Sequence, residues 1–334
     1  MRGELPETPT TRVDRLRSEA RVLRAVEALP PGRYVLAVSG GRDSMVLLDS
    51  FLRVRRDAVN VATFDHGTGE AASRAVQLTQ REGSRRGVEV VSERREDARP
   101  SDGEQAWRRA RWRFLHRVAR DAKALVVTAH TRDDQIETIV MRLLRDAVRT
   151  SARGLAAMYA ASHVHPVERP LLGISRADTT DYASLRDVRF VNDPTNASRR
   201  HLRNRVRHDL LGALESARPG ICGDLLDLSC RAAAWRCGLD IIVDTLGAER
   251  LREGVLVVPA EAMLRFDAVA LGIIWPALAE RAGVVLDWRG TERLVAFTHG
   301  AKPLRGIPLS GGATVSRTAS TFVVRAFAEP DPLY

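Results

Sequence analysis

The stretch Val35-Leu36-Ala37-Val38-Ser39-Gly40-Gly41-Arg42-Asp43-Ser44-Met45-Val46-Leu47-Leu48 decides the fold class. An apolar run with β-branched residues ends at Ser39. A helical apolar pattern (Val46, Leu47 and Phe51, with Leu48 and Leu52 beside them) begins after Asp43. A strand that turns through two glycines into a helix N-terminus builds an anion site. The glycines let the backbone approach a ligand, and the first-turn amides point outward with the helix dipole behind them. Ser39 and Ser44 add hydroxyl donors. Asp43 repels a bare phosphate, and makes sense when a divalent cation lies between them. The Gly-Lys-Ser/Thr ending of the P-loop is absent: the chain has two lysines, Lys123 and Lys302, both far from this loop in sequence. The three spaced glycines of a dinucleotide fingerprint do not fit either. A second Ser-Gly-Gly, Ser310-Gly311-Gly312, lacks the Asp-Ser and the helix and reads as a plain turn.

Outward from this loop, strands and helices alternate. Strands are predicted at Tyr34–Val38, Val59–Phe64, Val88–Val91 and Ala124–Thr128. Helices are predicted from Asp43, over 70–86, over 104–121 (core side Trp107, Phe114, Leu115, Val118) and over 133–145. This alternation predicts an α/β domain, a doubly wound, mostly parallel sheet with helices on both faces. Ligands in such sheets sit beyond the carboxyl ends of the strands, where Ser39, Asp65-His66 and Thr128-His130 fall. Upstream, residues 1–10 read as disordered and 11–30 as a basic helix with an apolar face of Val13, Leu16, Ala20, Leu23, Val26 and Leu29. Its arginines (Arg12, Arg15, Arg17, Arg21 and Arg24) read as either a solvated face, the default for charge on a helix, or an RNA-facing one. Downstream, the spacing predicts a strand at Val164–Val167, a helix from Ser175 to Arg186 and an arginine-laden helix over 199–216. A long helix over 221–250 follows as a connection. The rest reads as a strand at Val255–Val258, helices near 265–282 and 290–298, and glycine-punctuated strands through Phe322–Arg325. The expected division is 1–32, an N-terminal tail and basic helix; 33–218, the α/β domain; and 219–334, a helical linker with a small C-terminal α+β domain.

The chain is 334 residues long, and Lys+Arg exceed Asp+Glu by 52 to 42, a formal net charge of +10 carried almost wholly by arginine. An arginine-rich basic protein of this kind usually has a polyanionic partner. Cys222, Cys230 and Cys237 form a poor disulfide or zinc set, which points to buried thiols in a reducing cytosol. No apolar run approaches membrane-spanning length.

The second informative stretch is Ala129-His130-Thr131-Arg132-Asp133-Asp134-Gln135-Ile136-Glu137-Thr138. Ile136, Val140, Leu143 and Leu144 mark the core side of its helix, and Asp133, Asp134 and Glu137 share another face. Acids in a first turn complement the dipole, but that does not account for His130 before them and Glu137 a turn later. A cationic amine or a metal ion would suit the cluster. In the helix near 199–216, Arg199, Arg203 and Arg207 recur on one face and form the best RNA candidate.

Ser39-Gly40-Gly41-Arg42-Asp43-Ser44 resembles the SGGxDS PP-loop of the N-type ATP pyrophosphatases. The run from Ala129 to Thr138, with Met141-Arg142-Leu143-Leu144-Arg145 and Gly154-Leu155-Ala156-Ala157-Met158, resembles the signature of the tRNA(Ile)-lysidine synthetases. Arg169-Pro170-Leu171-Leu172, Asp193-Pro194-Thr195-Asn196, Arg203-Asn204-Arg205-Val206-Arg207, and Arg108 with Arg111 in the helix around Trp107 are similar to further blocks of that family. The resemblance covers roughly 33–215. Two places depart from it: the turn 146–151 lacks the family's glycine, and Asp65-His66-Gly67-Thr68-Gly69 lacks the arginine expected soon after His66.

The resemblance implies a PP-loop pyrophosphatase fold and a two-step reaction. ATP adenylates the C2 oxygen of the wobble cytidine of a CAU-anticodon isoleucine tRNA; the ε-amine of free lysine then displaces AMP. It implies that Ser39, Gly40, Gly41, Arg42, Asp43 and Ser44 bind ATP, with Mg²⁺ at or near Asp43 as the metal residue. Asp133, Asp134 and Glu137 would hold the lysine ammonium, with Asp134 or Glu137 as proton acceptor. Arg108 and Arg111 are suited to the lysine carboxylate or to phosphates, and Arg203, Asn204 and Arg207 to RNA or the active site. His130 either contacts nucleotide or base, or caps a strand end. No membrane partner is expected, and a homodimer is left open. A tRNA thiolation enzyme of the same loop class usually needs paired cysteines, which are absent. A small-molecule amidating enzyme fits the arginine-rich helix poorly. A non-catalytic RNA-binding relative is the remaining alternative.

Overall fold

The computed structural model describes residues 11–55, 59–67, 69–95, 104–146, 152–159, 166–192, 198–199, 202–252, 254–300, 305–309 and 313–326. The expected tail 1–10, the Asp193–Asn196 block, the loop 147–151 and the second Ser-Gly-Gly turn lie outside them.

The chain divides into two compact units, residues 1–141 with 167–222, and residues 142–166 with 223–334. The first contains α1 (Arg12–Glu27), β1 (Tyr34–Ala37), α2 (Arg42–Val54), β2 (Val59–Asp65), α3 (Glu70–Arg85), β3 (Val90–Arg94), α4 (Glu104–Ala122), β4 (Leu125–Thr128), the start of α5 (Arg132–Asp146), β5 (Val167–Glu168) and α7 (Arg176–Leu185). A helical run follows as α8 (Leu202–Arg205), a π-helical turn at Val206–Leu210 and α9 (Leu211–Ala217).

The five strands pair in parallel in the order β3-β2-β1-β4-β5. Alternate residues of β1 feed opposite cores, as a two-residue strand period requires. Leu36 packs with Phe51, Leu47 and Tyr182 from α2 and α7. Val35 packs with Trp112, Phe114 and Leu115 from α4. Helices therefore cover both faces. Strand order reverses between β1 and β4, so the crevice beyond their carboxyl ends is the topological switch point.

Several elements differ from the sequence reading. Helix α1 buries Ser18, Glu19, Val22 and Val26, while Val13 and Leu16 stand 56% and 48% exposed. Polar anchoring sets that face: Ser18 and Arg21 donate to Asp178, and Arg186 donates to Glu19. Leu144 is exposed, and α5 instead buries Ile139 beside Ile136 and Val140. Strand β3 starts later than read, at Val90, and continues through Glu93 and Arg94, whose charges look like a loop in sequence.

In the second unit lie α6 (Ala152–Ala156), most of α10 (Ile221–Asp244), β6 (Glu249–Arg252), β7 (Val255–Pro259), α11 (Ala260–Leu264), α12 (Ala268–Arg281), α13 (Trp288–Gly300), β8 (Arg305–Pro308), β9 (Thr314–Arg317) and β10 (Thr321–Arg325). Its strands form an antiparallel sheet, β6-β7-β10-β9-β8, over a core of Leu256, Trp275, Leu278 and Phe322. The expected helix 221–250 stops at Asp244: Gly247 takes φ 67°, a conformation glycine adopts freely, and the chain turns into β6. The expected helix near 265–282 is α12, which begins at Ala268, where Asp267 caps it by accepting from the Ala270 N–H at 2.8 Å; the short α11 before it was not expected. Residues 142–166 fall with this unit, where the Ser229 hydroxyl is 2.8 Å from the Leu155 carbonyl. Cys230 and Cys237 are exposed and Cys222 half-buried, so the expected buried thiols are not found. Among the described residues no helix is long and apolar enough to cross a membrane.

Candidate active site

The loop after β1 is held from within. The Ser39 N–H donates to Ser44 Oγ at 3.1 Å, and Ser44 Oγ donates to the Gly41 carbonyl at 2.8 Å. Gly40 has φ 75°, and a Cβ there would lie 2.6–2.8 Å from Ala75 of α3. Gly41 differs: a Cβ there would meet only Ser39 Oγ, at 3.6 Å. The loop is thus packed on one side and open on the other, at the N-terminus of α2. Asp43 Oδ1 accepts from the Thr179 hydroxyl at 2.6 Å and from Arg42 Nε at 3.1 Å.

Across the crevice, β4 ends at Thr128, whose hydroxyl is 2.8 Å from His130 Nδ1. Thr131 starts α5: its N–H and hydroxyl donate to Asp134 Oδ2 at 2.8 and 3.1 Å. Asp134 Oδ1 accepts from Arg203 Nη2 at 2.8 Å and Arg176 Nη2 at 3.2 Å. Glu137, fully buried, accepts four N–H groups. Arg207 Nε (2.6 Å) and Arg176 Nη1 (3.2 Å) reach Oε1, while Arg203 Nε (2.8 Å) and Arg207 Nη2 (2.9 Å) reach Oε2. Asp133 turns to α7 instead, where its Oδ2 accepts the Arg176 backbone N–H at 2.8 Å.

These groups surround a cavity of about 580 Å³ lined by Ser39, Gly41, Arg42, Asp43, Ser44, Arg111, His130, Asp134, Arg176, Arg203, Asn204 and Arg207, among others. A second cavity of about 230 Å³ shares Ser39, Gly41 and Arg111 with it, and is otherwise largely apolar: Ala62, Phe64, Ala72, Ala75 and Leu115, with His66. Of the sequence-predicted residues, Gly40 packs against α3 rather than lining either cavity. Arg108 lines neither and lies about 6 Å from the Trp112 ring.

Protonation states follow from burial and neighbours. Burial raises the Asp134 and Glu137 carboxyls, but the arginines and Thr131 outweigh it and hold both below the ordinary range, so both are ionised. Burial, then Arg169, Arg111, Arg108 and Arg203, drives His130 well below its ordinary value and keeps it neutral. Burial and Arg111 bring His66 down to about 4.

Arg111 Nε is buried without a hydrogen-bond partner among the described residues, which suits an anion on that side of the crevice. Among the described residues no group of three or more His, Cys, Asp or Glu is placed to hold a metal. A Mg²⁺ ion would take Asp43 together with phosphate oxygens and water, the usual manner for this ion. Asp43 Oδ1 is already held, and Oδ2 has no donor among the described residues.

The sequence reading missed Arg176 and Thr179 of α7. A cation at a helix N-terminus opposes the dipole, and Arg176 at the first position of a helix capped by Ser175 was the available signal.

A five-stranded parallel sheet with a Ser-Gly-Gly loop at its switch point, facing acids and arginines, defines a nucleotide-binding α/β protein of the PP-loop kind. The PP-loop domain family matches residues 15–214, and the chain belongs to that family and, within it, groups with the tRNA(Ile)-lysidine synthases. The protein of that name from Rhodopseudomonas palustris is 36% identical over 242 residues, covering 70% of this chain and 68% of its own length. Those from Bradyrhizobium diazoefficiens (36% identical, 65% of this chain) and Solibacter usitatus (31% identical, 79% of this chain) are matched over 60% of their lengths. The chain thus spans about 60% of these two relatives. Among solved structures, the U34-tRNA thiolase NcsA from Methanococcus maripaludis superposes with a TM-score of 0.52 at 16% identity, over 66% of this chain and 79% of that one, a likeness of fold.

Proposed function

We propose that this protein joins free lysine to C2 of the wobble cytidine in a CAU-anticodon isoleucine tRNA, at the expense of ATP. One observation carries the reading: the open loop at the start of α2 and Asp134 line a single crevice at the switch point, and the fully buried Glu137 is bonded to Arg203 and Arg207 of the same crevice. The relatives' shared name supports the substrate.

The chemistry follows from the residues. The triphosphate rests on the open side of Gly41, with Ser39 and Ser44 beside it and the N-terminus of α2 behind. The apolar cavity next to the loop suits a purine ring, with Phe64 and Leu115 as walls. Mg²⁺ between Asp43 and the phosphates would offset their charge as the cytidine oxygen attacks the α-phosphorus and pyrophosphate leaves. Arg42, Arg111, Arg203 and Arg207 stabilise the leaving charge. The lysine amine then attacks C2, and the bond from C2 to the adenylate oxygen breaks to release AMP. Asp134 and Glu137 orient the incoming ammonium; held ionised by their arginines, they are weak bases. His130 is neutral in the same cavity, and the burial and arginines that keep it so also disfavour its taking up a proton, which suits it to contact nucleotide or base rather than to serve as the proton acceptor.

Pyrophosphate release tests this directly. Protein with ATP, Mg²⁺ and lysine should release pyrophosphate only when the CAU-anticodon tRNA is present, and Asp43→Ala should abolish that release. Release at an equal rate without tRNA would overturn the reading.

A further inference from the structure

The acid pair that the proposed reaction needs for its amine has no lone pair left to offer. A carboxylate oxygen accepts about two hydrogen bonds. Glu137 takes two at each oxygen, and so does Asp134, all from Arg176, Arg203, Arg207 and Thr131. An ammonium reaches these acids only if a guanidinium leaves. The field opposes it too: five arginines line the crevice, Arg42, Arg111, Arg176, Arg203 and Arg207, against Asp43 and Asp134.

The three arginines are not equivalent. Arg176 sits in the first turn of α7, its own N–H bonded to Asp133, in a helix closed by a Ser175–Asp178 capping box. Arg203 and Arg207 come from the run α8 to α9, and Arg207 lies within its π-helical turn. Such turns interrupt regular helices frequently at functional sites. A guanidinium that leaves a buried carboxylate needs another anion in reach, and phosphate oxygens match its fork. Both residues line the same crevice as the nucleotide loop.

We propose that Arg203 and Arg207 decide the order of binding: they occupy the amine site in the free protein and surrender it to lysine only after anionic substrate has drawn them off. This rests on the reading above. It makes lysine the last substrate to enter, so that a free amine does not meet an empty, unactivated site. It also gives these arginines two partners in turn, carboxylate and then phosphate.

Equilibrium dialysis of labelled L-lysine tests it on the intact wild-type protein. Arms would contain the protein alone, with Mg²⁺ and a non-hydrolysable ATP analogue, with tRNA(Ile) of anticodon CAU, and with both. Lysine affinity should rise by about tenfold or more from the first arm to the last, because the competent fraction rises. The Arg207→Gln protein should bind lysine without anions more tightly than wild type; a purely structural arginine would give weaker binding. Equal lysine affinity in all arms would overturn the ordering while leaving the proposed reaction intact. No lysine binding in any arm would remove the reaction itself.

Discussion

Gly40 and Gly41 stand side by side and are glycine for different reasons. Gly40 has a left-handed φ of 75° and presses on the Ala75 backbone; Gly41 has neither constraint and faces open space. Gly40→Ala is expected to destabilise the protein by about 2 kcal/mol or more. Gly41→Ala should leave stability within about 0.5 kcal/mol yet weaken ATP binding. Urea unfolding and nucleotide titration of the two variants separate the roles. His66 gives a second test. Its folded-state value of about 4 lies below the ordinary 6.5. The unfolded chain therefore takes up the proton first as pH falls, so the contribution of His66 is full above about 6.5 and is lost between there and about 4. Urea midpoints across that interval should fall less steeply in His66→Gln than in wild type. Sequence showed the identity of these residues but not their loads. That Asp134 and Glu137 would be saturated by arginines more than 35 residues away in sequence is a tertiary fact, invisible to local spacing.

The elements nearest the site were the most legible. The strand, loop and helix at 34–54, and those at 125–146, fall where apolar periodicity and the glycine turn put them, because each is specified by its own residues. The misread elements owe their form to distant partners. Helix α1 hides its polar side against α7, so its apolar pattern misleads at Val13 and Leu16. Helix α7 is where site and scaffold meet. Within one turn of it Arg176 reaches the acids and Thr179 reaches Asp43, while Tyr182 reaches Asp49 at 2.7 Å in the core. Ser175→Ala removes its cap and is expected to lower stability by about 1 kcal/mol. The same change should weaken nucleotide binding, measured by titration with the ATP analogue, because Thr179 is the donor that fixes Asp43. Ser175→Asp, which also caps, should restore both.

Across the whole molecule, a net charge of +10 suits a polyanionic partner, and the arginines lining the crevice place part of that charge there. The second unit, with its antiparallel sheet, was legible as α+β but not in detail. The short α11, the start of α12 at Ala268 and the strand after Gly247 depend on a cap and a turn that periodicity does not register. The proposed reaction requires one crevice to serve both ATP and an amine, with tRNA as acceptor. Transfer of labelled lysine to tRNA is the most direct measurement of that. With ATP present, the label should appear in CAU-anticodon isoleucine tRNA, one lysine for each pyrophosphate released, and not in the same tRNA carrying uridine at the wobble position. Label in the uridine tRNA, or pyrophosphate released with no label transferred, would contradict it.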